Sequence, residues 1–412
     1  MKALYVYLVC LLIIPFIPNS YSIDVIGVHW FAFSILNVSF ILFFLLTQRS
    51  FTFSYLINFK PFTLFLFFIL FCFLSLFFTR NFNLSIIDFS RVLNVFISII
   101  ILSNLLHEKV NFYIISSIIS FFILLDIFTT FLPFINLAFK SSNTFLTILI
   151  NNSNPSYLKG FTGNKNINAA FILIKLPFLF YFISNSSNKK LKVFQYVLLL
   201  ITLFTILLLK SRAAYLSLFS ISFIFIIYSF IYQKKNLLII PVLFLSFLFS
   251  NYITLKSNAT SFFSEVSSIQ FNDASSQGRL SLWENTFEAS VENNFLGLGI
   301  GSWKIESLPY WNKNGTDYMV PYHAHNDFLE LLPEIGLLGS LSYLLVFIFS
   351  FYLIIRSFLK TKSLIDLSIL SALIVYFIDA NLNFPLERYT MQLAFVILMF
   401  LIFNRYGKKV NP

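Results

Sequence analysis

Apolar residues along this chain run together in long blocks. Twelve such blocks can be read, at about 3–18, 24–46, 62–79, 84–106, 111–137, 164–183, 192–209, 212–232, 236–254, 326–357, 363–380 and 389–404. Each approaches the roughly 17–25 residues that a helix needs to cross about 30 Å of hydrocarbon. The pattern predicts an all-α, polytopic membrane protein of about 12 transmembrane helices. Residues 1–254 would hold helices 1–9, residues 255–325 one large, partly helical loop, and residues 326–412 helices 10–12 and a short tail. The first block, with Lys2 ahead of it and Ser20–Ser22 behind it, has features of a secretory leader. Because eleven further blocks follow, it is read as an uncleaved first helix.

Composition supports the same class. The chain is 58% hydrophobic and 11% charged, whereas soluble domains carry roughly 25% charged residues. The formal net charge of +11 does not point to nucleic acid. Its basic residues are scattered through short loops, where they act as topology signals and meet anionic lipid of the bilayer. Cys10 and Cys72 both lie in apolar blocks, which excludes a disulfide framework or a CxxC metal site.

Charge then sets an expected orientation. With the N-terminus in the cytoplasm, 15 of the 28 basic residues fall in cytoplasmic loops and tails, and each such segment holds at least one. The positive-inside rule therefore places both termini in the cytoplasm. Loop 255–325, loop 138–163 and the turns at 210–212 and 380–388 would face the periplasm or the external side. Loop 255–325 should contain an amphipathic helix near 277–293, with Leu280, Trp283, Phe287 and Val291 on one face. The Gly297-Leu-Gly-Ile-Gly301 run reads as a tight turn. No strand precedes it, so a dinucleotide-binding role is rejected.

The polar groups that could do chemistry gather on that expected outer side. The segment Tyr322-His-Ala-His325-Asn326-Asp327-Phe-Leu-Glu330 opens the tenth apolar block and contains two of the chain's four histidines. Charges at the mouth of a membrane segment are costly and call for a function. A neutral His325 could accept a proton from a hydroxyl, or it could be a structural cap. His323 and His325 could also ligate a metal, but no strict ligand spacing accompanies them, and no metal is expected.

Arg212 opens the eighth block and Arg279 begins the loop helix. Each is either a solvated anchor or a bidentate phosphate partner. Asn326, Glu330 and Glu334 recur at helical spacing. Glu334 lies roughly 12 Å beyond Asn326 along the axis, too deep to join His325. It is expected either to pair with a buried cation such as Arg91 or to hold helix packing, while Gly336 and Gly339 would let another helix approach. Gly160–Asn168, with Asn164 and Asn166, offers amides at a helix start, suited to an anion or sugar or simply to capping. Asp379, Asn381 and Arg388 line the last outer turn. Trp283, Trp303, Tyr310, Trp311 and Tyr322 are candidate sugar contacts without a discriminating pattern.

His325-Asn326, nine residues, then Gly336-Xxx-Xxx-Gly339 resembles the signature of the O-antigen ligase / O-antigen polymerase superfamily of bacterial membrane glycosyltransferases. The order of the accompanying elements is similar too: GlyAsnLysAsnIleAsn (163–168), SerArgAlaAla (211–214), GlyArgLeuSerLeuTrp (278–283) and GlyLeuGlyIleGlySerTrp (297–303). The resemblance implies a GT-C-like enzyme of the inner membrane with no nucleotide-sugar site, no cofactor and no required metal. Such enzymes take a glycan from undecaprenyl pyrophosphate and pass it to a sugar hydroxyl, on lipid A–core for a ligase or on a growing glycan for a polymerase. On this pattern His325 would be the base or would orient the acceptor hydroxyl, and Arg212 and Arg279 would hold the pyrophosphate. Asn164, Asn166, Tyr322, Asn326 and Arg388 would be further contacts. A transporter or flippase, the reading from another class, would show broken helices, deep charges and an inverted repeat. Arg91, Lys175 and Glu334 are the only deep charges noted, and no repeat is found.

Overall fold

The computed structural model describes residues 2–18, 25–48, 51, 54–105, 110–141, 143–151, 157–257, 274–311 and 322–407. Among them every regular element is helical. In chain order these are α1 (Lys2–Ile13), α2 (Val25–Leu46), α3 (Ser54–Ile57), α4 (Lys60–Ser75), α5 (Phe82–Asn104), α6 (Phe112–Lys140), α7 (Phe145–Asn151), α8 (Lys165–Leu173) and α9 (Leu176–Asn185). They continue as α10 (Lys189–Leu208), α11 (Arg212–Tyr232), α12 (Ile239–Lys256), α13 (Ala274–Glu292), α14 (Trp303–Glu306), α15 (Leu308–Trp311), α16 (Asp327–Thr361), α17 (Leu364–Leu382) and α18 (Tyr389–Tyr406).

Ten helical stretches among the described residues are long and apolar enough to cross a membrane, with α8 and α9 forming one of them. The chain is an all-α polytopic membrane protein. The first and third expected spans are shorter apolar helices, Lys2–Phe16 and Lys60–Ser75. At about 1.5 Å per residue neither alone covers the hydrocarbon core. The α8–α9 stretch is the most enclosed, 89% buried, and α18 is 83% buried, whereas α2 and the α12 stretch are 28% buried. The first two therefore form the centre, and the last two lie at the periphery facing lipid.

Inside this bundle each deep charge has its own partner, as a low-dielectric interior requires. α8 and α9 are separated by a break at Ile174–Lys175, before Pro177. There Lys175 Nζ donates to Asp126 Oδ2 of α6 at 2.5 Å and sits over the Phe171 ring. Arg91 of α5 pairs with Asp88 at 2.6 Å and with Glu387 at 2.9 Å. The expected Arg91–Glu334 pair does not form. Glu334 Oε1 instead accepts the Trp303 N–H at 3.1 Å, so it caps a loop turn.

α16 is continuous in outline and broken in detail. Gly336 has φ 78° and ψ 175°, outside the helical region and favourable only to glycine. The segment before α14 enters this break. Leu298 N donates to Pro333 O at 2.8 Å, Gly299 N to Glu334 O at 2.9 Å, and Leu337 N to Phe295 O at 3.1 Å. In an uninterrupted helix Leu337 N would have bonded Pro333 O. The loop thus takes the freed acceptor and supplies a new one. A Cβ at Gly336 would lie 2.5 Å from Phe295 O. Gly336 therefore admits a loop and not a helix, whereas Gly339 does face a helix, with Phe71 of α4 3.0 Å from its would-be Cβ.

The expected loop helix exists as α13, but its buried face differs from the one expected. Leu282, Thr286, Ala289 and Ser290 are buried, while Leu280, Phe287 and Val291 are exposed. Thr286 and Ser290 bury their hydroxyls by donating to carbonyls one turn back, Leu282 O and Thr286 O. Small polar residues therefore occupy the packed side, and hydrophobicity alone chose the wrong stripe.

Two stability outcomes follow. Gly336→Ala is expected to lower the stability of the purified protein by at least about 2 kcal/mol, read as a fall in melting temperature, because it adds both a clash and an unfavourable φ. Asp126→Asn is expected to cost about 3–5 kcal/mol by leaving Lys175 uncompensated, and the paired change Asp126→Leu with Lys175→Met is expected to recover most of that loss. Equal melting of the single and paired variants would show that the ion pair does not act as a unit.

Candidate functional site

The start of α16 builds the site. Asn326, in an extended conformation, caps the helix by accepting the Leu329 N–H at 3.1 Å. One turn further, the Glu330 carboxylate reaches back, its Oε2 accepting the Ala324 N–H at 2.7 Å and its Oε1 lying 2.9 Å from His323 Nδ1. Trp283 of α13 donates from Nε1 to Ala324 O at 3.0 Å. Ala324 is therefore held from both sides, and His325 leaves that anchor with φ 54°. Non-glycine residues in this region are uncommon, and histidine is among those that tolerate it better.

Phe384, in the turn between α17 and α18, is the floor of the site. His323 stacks on it at 4.2 Å between centroids, His325 meets its edge at 5.2 Å, and the Arg388 guanidinium lies 4.8 Å from its centre. The two histidines thus turn different faces to one ring, and His323 is engaged by Glu330. Asp379 and Asn381 do not join them. Asp379 Oδ1 accepts Asn383 Nδ2 at 2.6 Å, and Asn381 donates to Phe377 O at 2.8 Å, both within their own helix end. Asp327 Oδ2 accepts the Leu386 N–H at 3.1 Å, tying the same turn to α16.

Electrostatics give His325 a definite state. Burial, then the positive charge of Arg279, then His323, lower its pKa to about 4. The imidazole is neutral at pH 7. Its Nδ1 is buried and has no hydrogen-bond partner among the described residues. A second set of charges braces the site from the side. Lys304 of α14 bonds Asp88 Oδ2 at 3.0 Å and Glu387 Oε2 at 3.2 Å. Burial alone would raise the Glu387 pKa, but Lys304, His323 and Arg91 together bring it down to about 2. Loop, α5 and the 385–387 turn are joined through these four side chains.

The expected residues are brought together in part. Arg279, half-buried, acts on His325, and Arg388 shares its aromatic floor. Arg212 lies at the same end of the bundle. The Tyr228 hydroxyl donates to Lys362 O at 3.1 Å, which sets α11 antiparallel to α17 and puts Arg212 near the Leu382 end. There it adjoins the Gly160–Asn168 segment, since Lys165 Nζ reaches Lys210 O at 3.5 Å. Asn164 caps α8 by accepting the Asn166 N–H at 2.8 Å, and Asn168 Nδ2 donates to Thr130 Oγ1 and Leu158 O at 2.9 Å each. Tyr322 is 66% exposed and free to meet a partner from solution. The side chain of Trp311, a candidate sugar contact, lies outside the described residues. Phe384 and Glu330 as a clamp escaped the sequence reading. The compact Asn383–Arg388 turn between two apolar blocks was the available signal for Phe384.

Residues 197–344 match the family model described as O-antigen ligase. They include Arg212, Arg279, His325 and both glycines of the broken turn. The chain is also similar to the ComP-specific O-oligosaccharyltransferase of Acinetobacter baylyi, 26% identical over 232 residues. That match covers 54% of this chain and 40% of the relative, so the chain spans well under half the length of the curated protein it matches. The segment that carries the histidine turn and both arginines is thus the part of this chain that is similar to the O-antigen ligase family.

Proposed function

We propose that this chain is an O-antigen ligase-type glycosyltransferase that moves a glycan from undecaprenyl pyrophosphate to a sugar hydroxyl of lipid A–core. The reaction would take place on the periplasmic face of a bacterial inner membrane, with both termini cytoplasmic. The observation that carries this reading is the charge of Arg279 acting on a neutral His325 whose Nδ1 has no partner among the described residues. His325 takes the proton of the acceptor hydroxyl as the new carbon–oxygen bond forms. The bond from the sugar carbon to the pyrophosphate oxygen breaks, and its electron pair stays on that oxygen. Arg279 and Arg212 hold the resulting negative charge, which fixed cations stabilise without reorganising. Phe384 offers an apolar face for a sugar ring, with Tyr322, Asn326 and Arg388 around it.

A repeat-unit polymerase of O-antigen or capsule is the second reading. It keeps the donor chemistry and changes only the acceptor. The similarity to an O-oligosaccharyltransferase supports transfer to a hydroxyl in either case. A polysaccharide transporter or flippase is the remaining reading. Two helices are broken, as that reading expects, but the break at Lys175 is filled by Asp126 and the break at Gly336 by the 295–299 segment.

Proteoliposomes supplied with lipid-linked donor and a core or glycan acceptor test the proposal by mass spectrometry of the products. His325→Ala is expected to lower turnover by about 10²–10⁴-fold, and Arg279→Ala by roughly 10²–10³-fold. Correctly inserted variants that keep full transfer would overturn the site. Translocation without bond formation would favour the transporter.

The pH profile is a separate test. The folded His325 pKa of about 4 lies below the ordinary value of 6.5, so the base form persists as pH falls below 6.5 and is lost only as pH approaches 4. The acid limb of kcat/KM is expected there. Arg279→Gln removes a positive neighbour and is expected to move that limb upward. A wild-type limb at or above 6.5 would contradict the assignment.

A further inference from the structure

At the end of the bundle opposite His325 lies a cavity of about 590 Å³, walled by α3, the start of α4, the last turns of α16 and the end of α18. The α16 helix separates it from the histidine turn: Arg356 lies 29 positions beyond Asp327, roughly 40 Å at the helical rise. No step of the proposed transfer uses it.

Its chemistry is asymmetric. Lys60 and Arg356 both line it, and among the described residues no carboxylate does. Lys60 Nζ sits 5.3 Å over the Phe349 ring, and the Arg356 guanidinium 6.0 Å from the Tyr352 ring, with Nη1 3.4 Å from the Tyr352 hydroxyl. Aromatic stacking holds these cations at the wall without neutralising them. Asp366, which Tyr406 of the wall reaches, is already taken up by Ser357, Thr361, Arg405 and Tyr406. The Tyr55 hydroxyl is buried and has no hydrogen-bond partner among the described residues. The start of α4 adds little to this, because Pro61 has no N–H and the Phe62 and Thr63 amides already donate to Phe59 O. Two cations and an unpartnered hydroxyl call for an anion. Asn58 adds a polar amide to the wall, while Phe59, Leu353 and Phe403 form an apolar part that calls for hydrocarbon. One ligand class answers both demands at the end of membrane helices.

We propose that this cavity binds the headgroup of an anionic phospholipid, its phosphate between Lys60 and Arg356 and its upper chain against Phe59, Leu353 and Phe403. The site is independent of the transfer chemistry, so it stands whether or not that reading holds.

The test uses the purified full chain in detergent. Native mass spectrometry measures retention of phosphatidylglycerol against phosphatidylcholine, with inorganic phosphate as a soluble competitor. The wild type is expected to prefer phosphatidylglycerol, and Lys60→Gln with Arg356→Gln to lower that preference roughly 30-fold, the loss expected for two cations at a membrane surface. Lys189→Gln with Lys190→Gln, exposed cations elsewhere, is expected to leave it unchanged. Tyr55→Phe deletes only the unpartnered hydroxyl, so it serves where the double variant does not fold, and it is expected to weaken retention severalfold. The proposal is overturned by equal retention of the two lipids, by folded cavity variants that keep the preference, or by millimolar inorganic phosphate displacing the lipid completely.

Discussion

The exchange of backbone bonds at Gly336 is the contact on which the His325 end of the molecule depends. A helix in hydrocarbon cannot leave its carbonyls unpaired, since no water is there to take them. Breaking α16 therefore requires another backbone to enter, and the 295–299 segment does so with three hydrogen bonds. That entry fixes the chain that leads to α14, where Lys304 joins Asp88 and Glu387. Glu334 adds a fourth tie by accepting from Trp303. A large loop is thereby stitched to the membrane helices at the position where the histidine turn needs a wall.

The same logic distributes the charges. Asp88, Arg91, Lys304 and Glu387 form a mutual network, and Lys175 and Asp126 form a closed pair. These groups have spent their charge on one another and are architecture. His325 differs from them in making no ion pair among the described residues; its buried Nδ1 has no hydrogen-bond partner there either, a state shared by Arg91 Nε. Burial depth alone does not separate the proposed catalytic group from the structural ones, whereas charge pairing does.

Much of this was legible in the chain. Apolar block length set the helices to within a few residues, because burial in hydrocarbon is a property of composition. The His325–Asn326 start of α16 and Arg212 at the start of α11 were visible as polar residues at the edges of such blocks, and Arg279 as a basic residue of the loop helix α13. Partner choice was not. Arg91 takes Asp88 and Glu387 instead of Glu334, because Glu387 sits 296 residues away in a turn whose position only the fold decides. The α13 face was misread because its packed side is Thr286, Ala289 and Ser290, whose hydroxyls satisfy themselves within the helix. Phe384 looked like one more phenylalanine among 57.

Arg279 has two effects in the proposed reaction, and they are coupled. Its charge attracts an anion, and the same charge helps to lower the proton affinity of His325. Before donor binds, His325 is a neutral but weak base. A pyrophosphate beside Arg279 cancels that positive field, so the proton affinity of the imidazole must rise as the donor seats. The base becomes strong enough to accept the acceptor's proton only when the leaving group is present. A site arranged in this way would disfavour deprotonation of an acceptor in the absence of donor, and it would do so through one guanidinium and without a moving part.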